Sequence, residues 1–225
     1  MANTPLESML DNLKEWTSIE QFQRTLSAYF SSNRSAEEIE NFRLGRGTFK
    51  RLRDEVVPVL HFFSATGFTG EVRFRFSNDA PDCWYRRADD TSPRAMEITR
   101  AQAREQFHIA RELNTKGASS GYIGLPDSAS NEDFEKALRE PRGATTEDVL
   151  KHTARAILER LNKKAEKGYG EIELLIEARI GEDQLPPERW DRILPMLRQR
   201  AESTGFRHVH LIGARASDCN YFQLK

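Results

Sequence analysis

The chain has 225 residues, with 34 Lys and Arg against 35 Asp and Glu and a formal net charge of −1. Its length corresponds to about one or two domains, and no apolar run approaches the roughly 18 residues of a membrane-spanning helix, which excludes a transmembrane protein. The near-zero charge removes the simplest argument for a nucleic-acid partner, because a strongly basic domain would have indicated a polyanion.

The N-terminal segment and the cysteines indicate the compartment. The segment MANTPLESMLDNLKEW lacks the basic flank and the apolar stretch of a secretory signal, so we expect a cytoplasmic protein. The two cysteines, Cys83 and Cys219, are too few for a disulfide framework or a closed zinc site. We expect both to be reduced.

The first part of the chain is predicted to be helical. Apolar residues recur at helical spacing over 5–42, and Ser18 with Gln21 and Ser35 with Glu38 have the spacing of capping boxes. We assign residues 1–45 to a helical N-terminal extension. A further helix begins at Thr48, carries an apolar stripe to Phe63 and is expected to bend at Pro58.

After Gly70 the hydrophobic period becomes alternating. The pattern predicts strands over 71–76, 83–85 and 95–99, followed by a helix over 101–114. Residues 117–144 are rich in Gly, Ser, Pro, Asn and Asp, which predicts an insertion that acts as a lid or substrate loop.

The rest of the chain alternates helices and strands. Thr145 and Asp148 cap a long helix, and an apolar strand follows over 171–178. Pro186 and Pro187 begin a helix that runs through Leu197, and strands follow over 208–212 and 219–224. We predict an α/β domain over 46–225, with a mixed sheet flanked by helices.

Two carboxylates form the most informative candidate site. Asp82 opens the second strand, Glu97 lies near the end of the third, and a hairpin between these strands can place the two side chains together. Carboxylate oxygens are ligands for Mg²⁺, and a metal held there could activate a water against a phosphodiester. The alternative is that Asp82 caps a turn and Glu97 pairs with an arginine.

The chain resembles the PD-(D/E)xK nuclease superfamily at Pro81-Asp82 and Glu97-Ile98-Thr99, which occur within a predicted order of helix, three strands, helix and strand. The resemblance covers about residues 48–178 and implies a restriction-endonuclease-like fold. It implies that Asp82 and Glu97 bind Mg²⁺ or Mn²⁺ and that Glu55, on the preceding helix, adds a ligand. In the family, a lysine two residues after the Glu positions the attacking water. This chain has Thr99 at that position. Arg100, Gln102, Lys116 and Lys164, in that order, are the candidates to replace the lysine.

A basic run precedes this site. It contains five cations and no acid, and the expected role is contact with the phosphate backbone without reading of sequence. A solvated helix face is the alternative for this run and for the basic stretch over 151–167. The five residues are Arg43, Arg46, Lys50, Arg51 and Arg53.

Three functions are consistent with these features. The first is a metal-dependent nuclease that hydrolyses DNA, with RNA as the alternative substrate and no membrane partner. The second is an inactive protein of the same fold that binds nucleic acid or regulates, which the missing lysine suggests. The third is an interaction protein that forms a homodimer through the helical extension, whose apolar stripes could equally belong to the main core.

Other motifs favour ordinary structural roles. Residues 117–121 match GxSxG, but a helix precedes the serine where a nucleophile elbow needs a strand. His208 and His210 share a strand face without a third ligand at recognisable spacing. Trp84 and Tyr85 could stack on a base, although packing in the core explains them as well.

Overall fold

The alternating and apolar stretches of the sequence form one mixed sheet in the computed structural model, which describes residues 4–119, 121–140, 143–178, 187–213 and 220–225. Among these residues the sheet has seven strands, and their order across the sheet follows their order along the chain. The strands are β1 (Thr17–Ser18), β2 (Glu71–Phe74), β3 (Cys83–Arg86), β4 (Arg94–Arg100), β5 (Glu173–Ala178), β6 (Val209–Gly213) and β7 (Tyr221–Gln223).

The strand directions show that the sheet is mixed. Strands β1 to β4 are antiparallel neighbours, β4, β5 and β6 run parallel, and β7 returns antiparallel to β6. Every residue of β5 and of β6 is buried, as the sequence predicted for a central strand at 171–178. The general prediction of an α/β protein with a mixed sheet is therefore confirmed.

Helices cover both faces of the sheet. Ser35 and Thr145 form the predicted capping boxes with Glu38 and Asp148, whereas Ser18 accepts only the N–H of Gln21. The α-helices are α1 (Pro5–Asn12), α2 (Ile19–Ser31), α3 (Ala36–Leu44), α4 (Phe49–Arg51), α5 (Val57–Thr66), α6 (Ala103–Lys116), α7 (Asn131–Arg139), α8 (Thr146–Ala165), α9 (Pro187–Trp190) and α10 (Leu194–Glu202).

Two apolar clusters lie on the two faces of the sheet. On one face, α1, α2 and α5 pack on alternate residues of β2 to β5, with Phe22 and Phe74 at the centre. On the other face, α8 and α10 pack on Leu174 and Leu211. The helical extension belongs to the first cluster, and the carbonyl of Leu13 accepts the N–H of Phe74 at 2.8 Å.

The helix predicted from Thr48 contains an irregular turn. Residues Leu52–Val56 form a π-helical turn between α4 and α5, in which the N–H of Val57 donates to the carbonyl of Leu52. Pro58, at the start of α5, has no N–H to donate, so the regular hydrogen-bond ladder cannot continue through this point. The deviation from a regular helix therefore starts before the proline at which we expected a bend.

Three further details differ from the predictions. Residues 117–144 contain the nine-residue helix α7, whereas the sequence indicates only a short helical piece around Phe134 to Leu138. The helix predicted from Pro186 through Leu197 is two helices, α9 and α10, and Pro195 lies in the first turn of α10. Strand β1 has only two residues, too few for an alternation pattern. Pro186 and Cys219 lie outside the described residues.

No helix of the described chain is both long enough and apolar enough to span a membrane.

Candidate functional site

The two predicted carboxylates are brought together by the pairing of β3 with β4. Cys83 lies opposite Met96, which sets Asp82 beside the middle of β4. The Asp82 backbone N–H donates to the carbonyl of Met96 at 3.0 Å, and the Asp82 carboxylate accepts the N–H of Ile98 at 2.7 Å. Asp82 is thus fixed to the strand segment that carries Glu97, and both side chains line one cleft.

Glu55 reaches the same cleft from the π-helical turn. Its Oε2 atom and the Oε2 atom of Glu97 are buried, and neither has a hydrogen-bond partner among the described residues. A buried carboxylate oxygen without a donor is costly, and a cation or a donor that enters the cleft would remove this cost.

The cleft has a volume of about 490 Å³ and lies between the π-helical turn, β4 and α8. Lys164 of α8 forms an ion pair with the Glu97 carboxylate, and the Lys164 side chain is only 19% exposed. Basic residues of α8 occur at helical spacing along this wall and belong to the basic stretch over 151–167. The cations that line the cleft are Lys50, Arg100, Arg160, Lys163, Lys164 and Lys167.

The candidates for the missing lysine lie in different places. Arg100 lines the cleft but forms ion pairs with Asp54 at 2.8 Å and with Glu177 at 2.7 Å. Gln102 is buried, and its amide donates to the hydroxyl of Thr153 at 3.4 Å. Thr99 lines the cleft, while Lys116 is paired with Glu112 at 2.6 Å and is not part of the lining.

Lys164 is therefore the candidate that approaches Glu97, although the sequence analysis placed it last. Glu97 and Lys164 are 67 positions apart in the chain, so no local pattern connects them. The alternative expectation, an arginine partner for Glu97, is replaced by this lysine.

Most of the predicted phosphate-binding run makes contacts within the protein. Of Arg43, Arg46, Lys50, Arg51 and Arg53, only Lys50 lines the cleft. Arg53 is turned inward, and its side chain is 16% exposed. Arg53 contacts Asp54 at 2.6 Å and the carbonyl of Arg43 at 2.9 Å. Arg43 contacts Asn114 at 3.0 Å, and Arg46 contacts Glu40 at 2.9 Å. The guanidinium of Arg51 lies 5.8 Å from the ring centre of Phe76.

The insertion is tied to the rim of the cleft through Asp127. Its carboxylate accepts the N–H of Ala103 at 3.2 Å and the N–H of Arg104 at 3.0 Å, so it caps the N-terminus of α6. The same carboxylate forms an ion pair with Arg160. One side chain of the insertion therefore satisfies a helix end and holds a cation of the cleft.

Burial and mutual repulsion change the acid–base behaviour of the carboxylates. Burial, with the nearby charge of Asp82, raises the pKa of Glu55 to about 8. Burial, with the charge of Glu97, raises the pKa of Asp82 to about 6. A cation beside these groups would favour their charged forms. The cleft thus holds protons that a metal or a cationic group would displace.

These shifts predict a pH dependence of stability without metal. The ordinary pKa of Glu55 is 4.5, so between pH 4.5 and about pH 8 the folded state binds more protons than the unfolded state. The free energy of unfolding should therefore fall as the pH rises through this range. Glu55→Gln (E55Q) should reduce that fall by up to about 4 kcal/mol, measured by urea unfolding in EDTA from pH 5 to pH 9.

The exposed substitution Glu202→Gln (E202Q) is the control for E55Q, and its curve should follow that of the wild type. Parallel curves for E55Q and the wild type would show that Glu55 titrates near its ordinary pKa.

The donors have the chemistry that Mg²⁺ prefers, since carboxylate oxygens line the cleft and two of them are buried without a partner. In the present side-chain positions, no three His, Cys, Asp or Glu residues of the described chain form a group that could hold a metal ion. The donor chemistry therefore fits a hard cation, and a complete ligand set would need the side chains to move.

The remaining sequence motifs have structural surroundings. Gly117 ends α6, so a helix precedes the GxSxG segment as expected, and Ser120 lies outside the described residues. Tyr85 is buried in the first apolar cluster, while Trp84 is partly exposed and has the guanidinium of Arg73 at 4.9 Å from its ring centre. Packing therefore accounts for Tyr85.

Comparisons of the chain with protein-family models, with curated proteins and with solved structures find no match. The architecture itself defines the class of the protein. Over the described residues it is an α/β protein with a seven-stranded mixed sheet and a cleft beside β4 that is lined by acidic and basic side chains.

Proposed function

We propose that this protein is a metal-dependent nuclease with a restriction-endonuclease-like fold that hydrolyses phosphodiester bonds in DNA. The observation that carries the proposal is the meeting of Asp82, Glu97 and Glu55 with Lys164 in one cleft. Acidic oxygens beside a cation suit a reaction in which negative charge develops on a phosphate.

The three carboxylates would hold Mg²⁺ or Mn²⁺. When bound, such an ion supplies positive charge that polarises a phosphate oxygen and lowers the pKa of an attacking water. Asp82 is oriented for this role by its hydrogen bond from Ile98, and Glu97 projects from the strand next to it. Glu55 would complete the set by losing the proton that burial favours.

Lys164 would act in place of the lysine that the resemblance assigns to position 99. Its ammonium can hold a water or offset charge on the phosphate, once Glu97 turns toward the metal. The Thr99 hydroxyl, which lines the cleft, can donate one neutral hydrogen bond but carries no charge.

The substrate backbone would lie along the basic side of the cleft. Lys163 and Arg160 extend from the same helix as Lys164, Lys167 lies in the turn that follows this helix, and Lys50 lies on the π-helix side. These cations are clustered at one place, which favours polyanion binding despite the net charge of −1. The proposed DNA contacts therefore shift from the Arg43 to Arg53 run to α8 and Lys50.

A second candidate is a nucleic-acid-binding protein without turnover. The ion pair of Lys164 with Glu97 favours it, because this pair neutralises one of the carboxylates that a metal needs. Metal-independent binding of DNA without cleavage would distinguish this candidate from the first. The homodimer suggested by the helical extension remains a separate prediction.

The test of the proposal is a cleavage assay with Lys164→Gln (K164Q). We expect the wild type to cut or nick DNA with Mg²⁺ or Mn²⁺, and K164Q to be slower by about 100-fold because it loses the charge but retains a hydrogen-bond donor. Initial rates on plasmid and on linear single-stranded DNA would be measured. Lys151→Gln (K151Q), also on α8 but with a side chain that is 73% exposed, is the matched control.

A wild type that binds DNA and never cuts it with either metal would support the second candidate. Equal rates for K164Q and K151Q would remove Lys164 from the proposed mechanism.

A further inference from the structure

A second polar cavity lies under the opposite face of the sheet from Glu97. It has a volume of about 260 Å³ and is bounded by the end of α5 and the starts of β5 and β6. Glu173, the first residue of β5, lies opposite Met96, and Met96 belongs to the apolar cluster beneath α5. Because neighbouring residues of a strand point to opposite faces, Glu97 points toward α8 and Glu173 toward α5.

Glu173 is the centre of a buried hydrogen-bond chain. It is 1% exposed, and its Oε2 atom accepts the hydroxyl of Tyr85 and lies 3.1 Å from Nε2 of His210. On the other side of the ring, Nδ1 of His210 is 3.1 Å from the hydroxyl of Tyr221. A proton on Nε2 therefore leaves Nδ1 free to accept from Tyr221. Packing and hydrogen bonds fix each member of the chain.

The other oxygen of Glu173 is not satisfied. Oε1 is buried and has no hydrogen-bond partner among the described residues, although Oε2 has two. An unpaired carboxylate oxygen in such surroundings is costly, and this cost is removed when an N–H or O–H donor binds next to it. A donor group is thus the first requirement for an occupant of the cavity.

The wall of the cavity sets two further requirements. Arg87 and Arg94 both line it, and their two guanidinium groups favour an anionic ligand, although Arg94 also lies 3.9 Å from the Asp90 carboxylate. Aromatic side chains form part of the wall, since Phe62, Phe68, Tyr85 and Tyr221 line it together with Thr66, Thr69 and other polar groups. Aromatic side chains favour contact with the flat ring of a ligand.

We propose that this cavity binds a nucleoside monophosphate, with its phosphate at Arg87 and Arg94, its base against the aromatic wall and an N–H of the base donated to Glu173. Each part of the ligand matches one observed feature: the guanidinium pair, the rings and the unpaired oxygen. The inference does not rest on the proposed nuclease activity, because it uses none of the residues of the acidic cleft.

The test is calorimetric titration of the full chain with GMP, AMP, CMP and UMP, and with inorganic phosphate and guanosine as partial ligands. We expect saturable binding of at least one of the four nucleotides and binding at least about tenfold weaker for each partial ligand. Inorganic phosphate that binds as tightly as every nucleotide would overturn recognition of the base. Absence of saturable binding by all four nucleotides up to about 5 mM would overturn the site.

Two variants assign the binding to this cavity. Arg87→Ala (R87A) changes an exposed side chain and should weaken the best nucleotide at least about tenfold, and Glu173→Gln (E173Q) should do the same while keeping the shape of the side chain. Arg24→Ala (R24A), an exposed arginine on α2, is the control and should bind as the wild type does. Binding that is unchanged in R87A would place the nucleotide elsewhere and overturn the proposal, even if E173Q fails to fold.

Discussion

Asp82→Asn (D82N) should lower metal-dependent DNA cleavage by at least about 100-fold while the protein stays folded. The asparagine oxygen can still accept the N–H of Ile98, so the hydrogen bond that fixes this segment to β4 is retained. The charge that would hold the metal is lost. Initial cleavage rates at a fixed Mn²⁺ concentration, with thermal unfolding measured in parallel, check this prediction.

The matched control for D82N is Asp89→Asn (D89N), which makes the same chemical change at the exposed turn of the same β3–β4 hairpin. D89N should cut at the wild-type rate. If D82N retained more than about a third of the wild-type rate, the carboxylate would not be a metal ligand in the reaction. Loss of activity together with a collapse of the melting temperature would instead assign Asp82 a role in folding.

Arg100→Met (R100M) should destabilise the protein by about 3–5 kcal/mol, the largest effect on stability that we expect from a charged residue of the site. The Arg100 guanidinium joins Glu177 to Asp54, and the Glu177 side chain is only 3% exposed. Methionine fills similar space but leaves these carboxylates without their shared cation. Chemical denaturation at pH 7 measures the loss.

Arg24→Met (R24M), on the exposed face of α2, serves as the control and should change the free energy of unfolding by less than about 0.5 kcal/mol. A loss below about 1 kcal/mol in R100M would mean that the buried carboxylates find protons or water instead. Arg100 would then be available for the role predicted from the sequence, in place of the missing lysine.

Sequence patterns were sufficient for elements that depend on local periodicity. The alternation of Val72 and Phe74 identified β2, and the all-apolar core of β5 predicted a strand buried on both faces. The hairpin that joins Asp82 to Glu97 followed from a turn-rich bend between two short strands. Each of these features involves residues that are close in sequence, where side-chain spacing and backbone geometry are directly linked.

The partner of Glu97 could not be found in this way. Lys164 meets Glu97 only because α8 packs over the sheet after the insertion, and this packing depends on apolar contacts such as Ile157 with its neighbours on β5. The cations at 160, 163 and 164 share one face of α8, and the sequence showed them as part of the basic stretch over 151–167 but gave no signal that this stretch faces Glu97.

The composition of the basic run also does not predict that Arg53 points inward. A basic run predicts a solvated surface or a phosphate-binding strip, yet Arg53 lies within the π-helical turn and contacts Asp54 and the carbonyl of Arg43. The irregular turn thus contains a cation that is bound within the protein.

The contacts of Asp127 have a consequence for motion. The segment that was predicted to act as a lid carries, through Asp127, the cap of α6 and the counter-charge of Arg160. Displacement of Asp127 would expose two amide donors and one guanidinium together. Such a displacement would make the electrostatic potential of the cleft more positive, so a polyanion bound there would favour it.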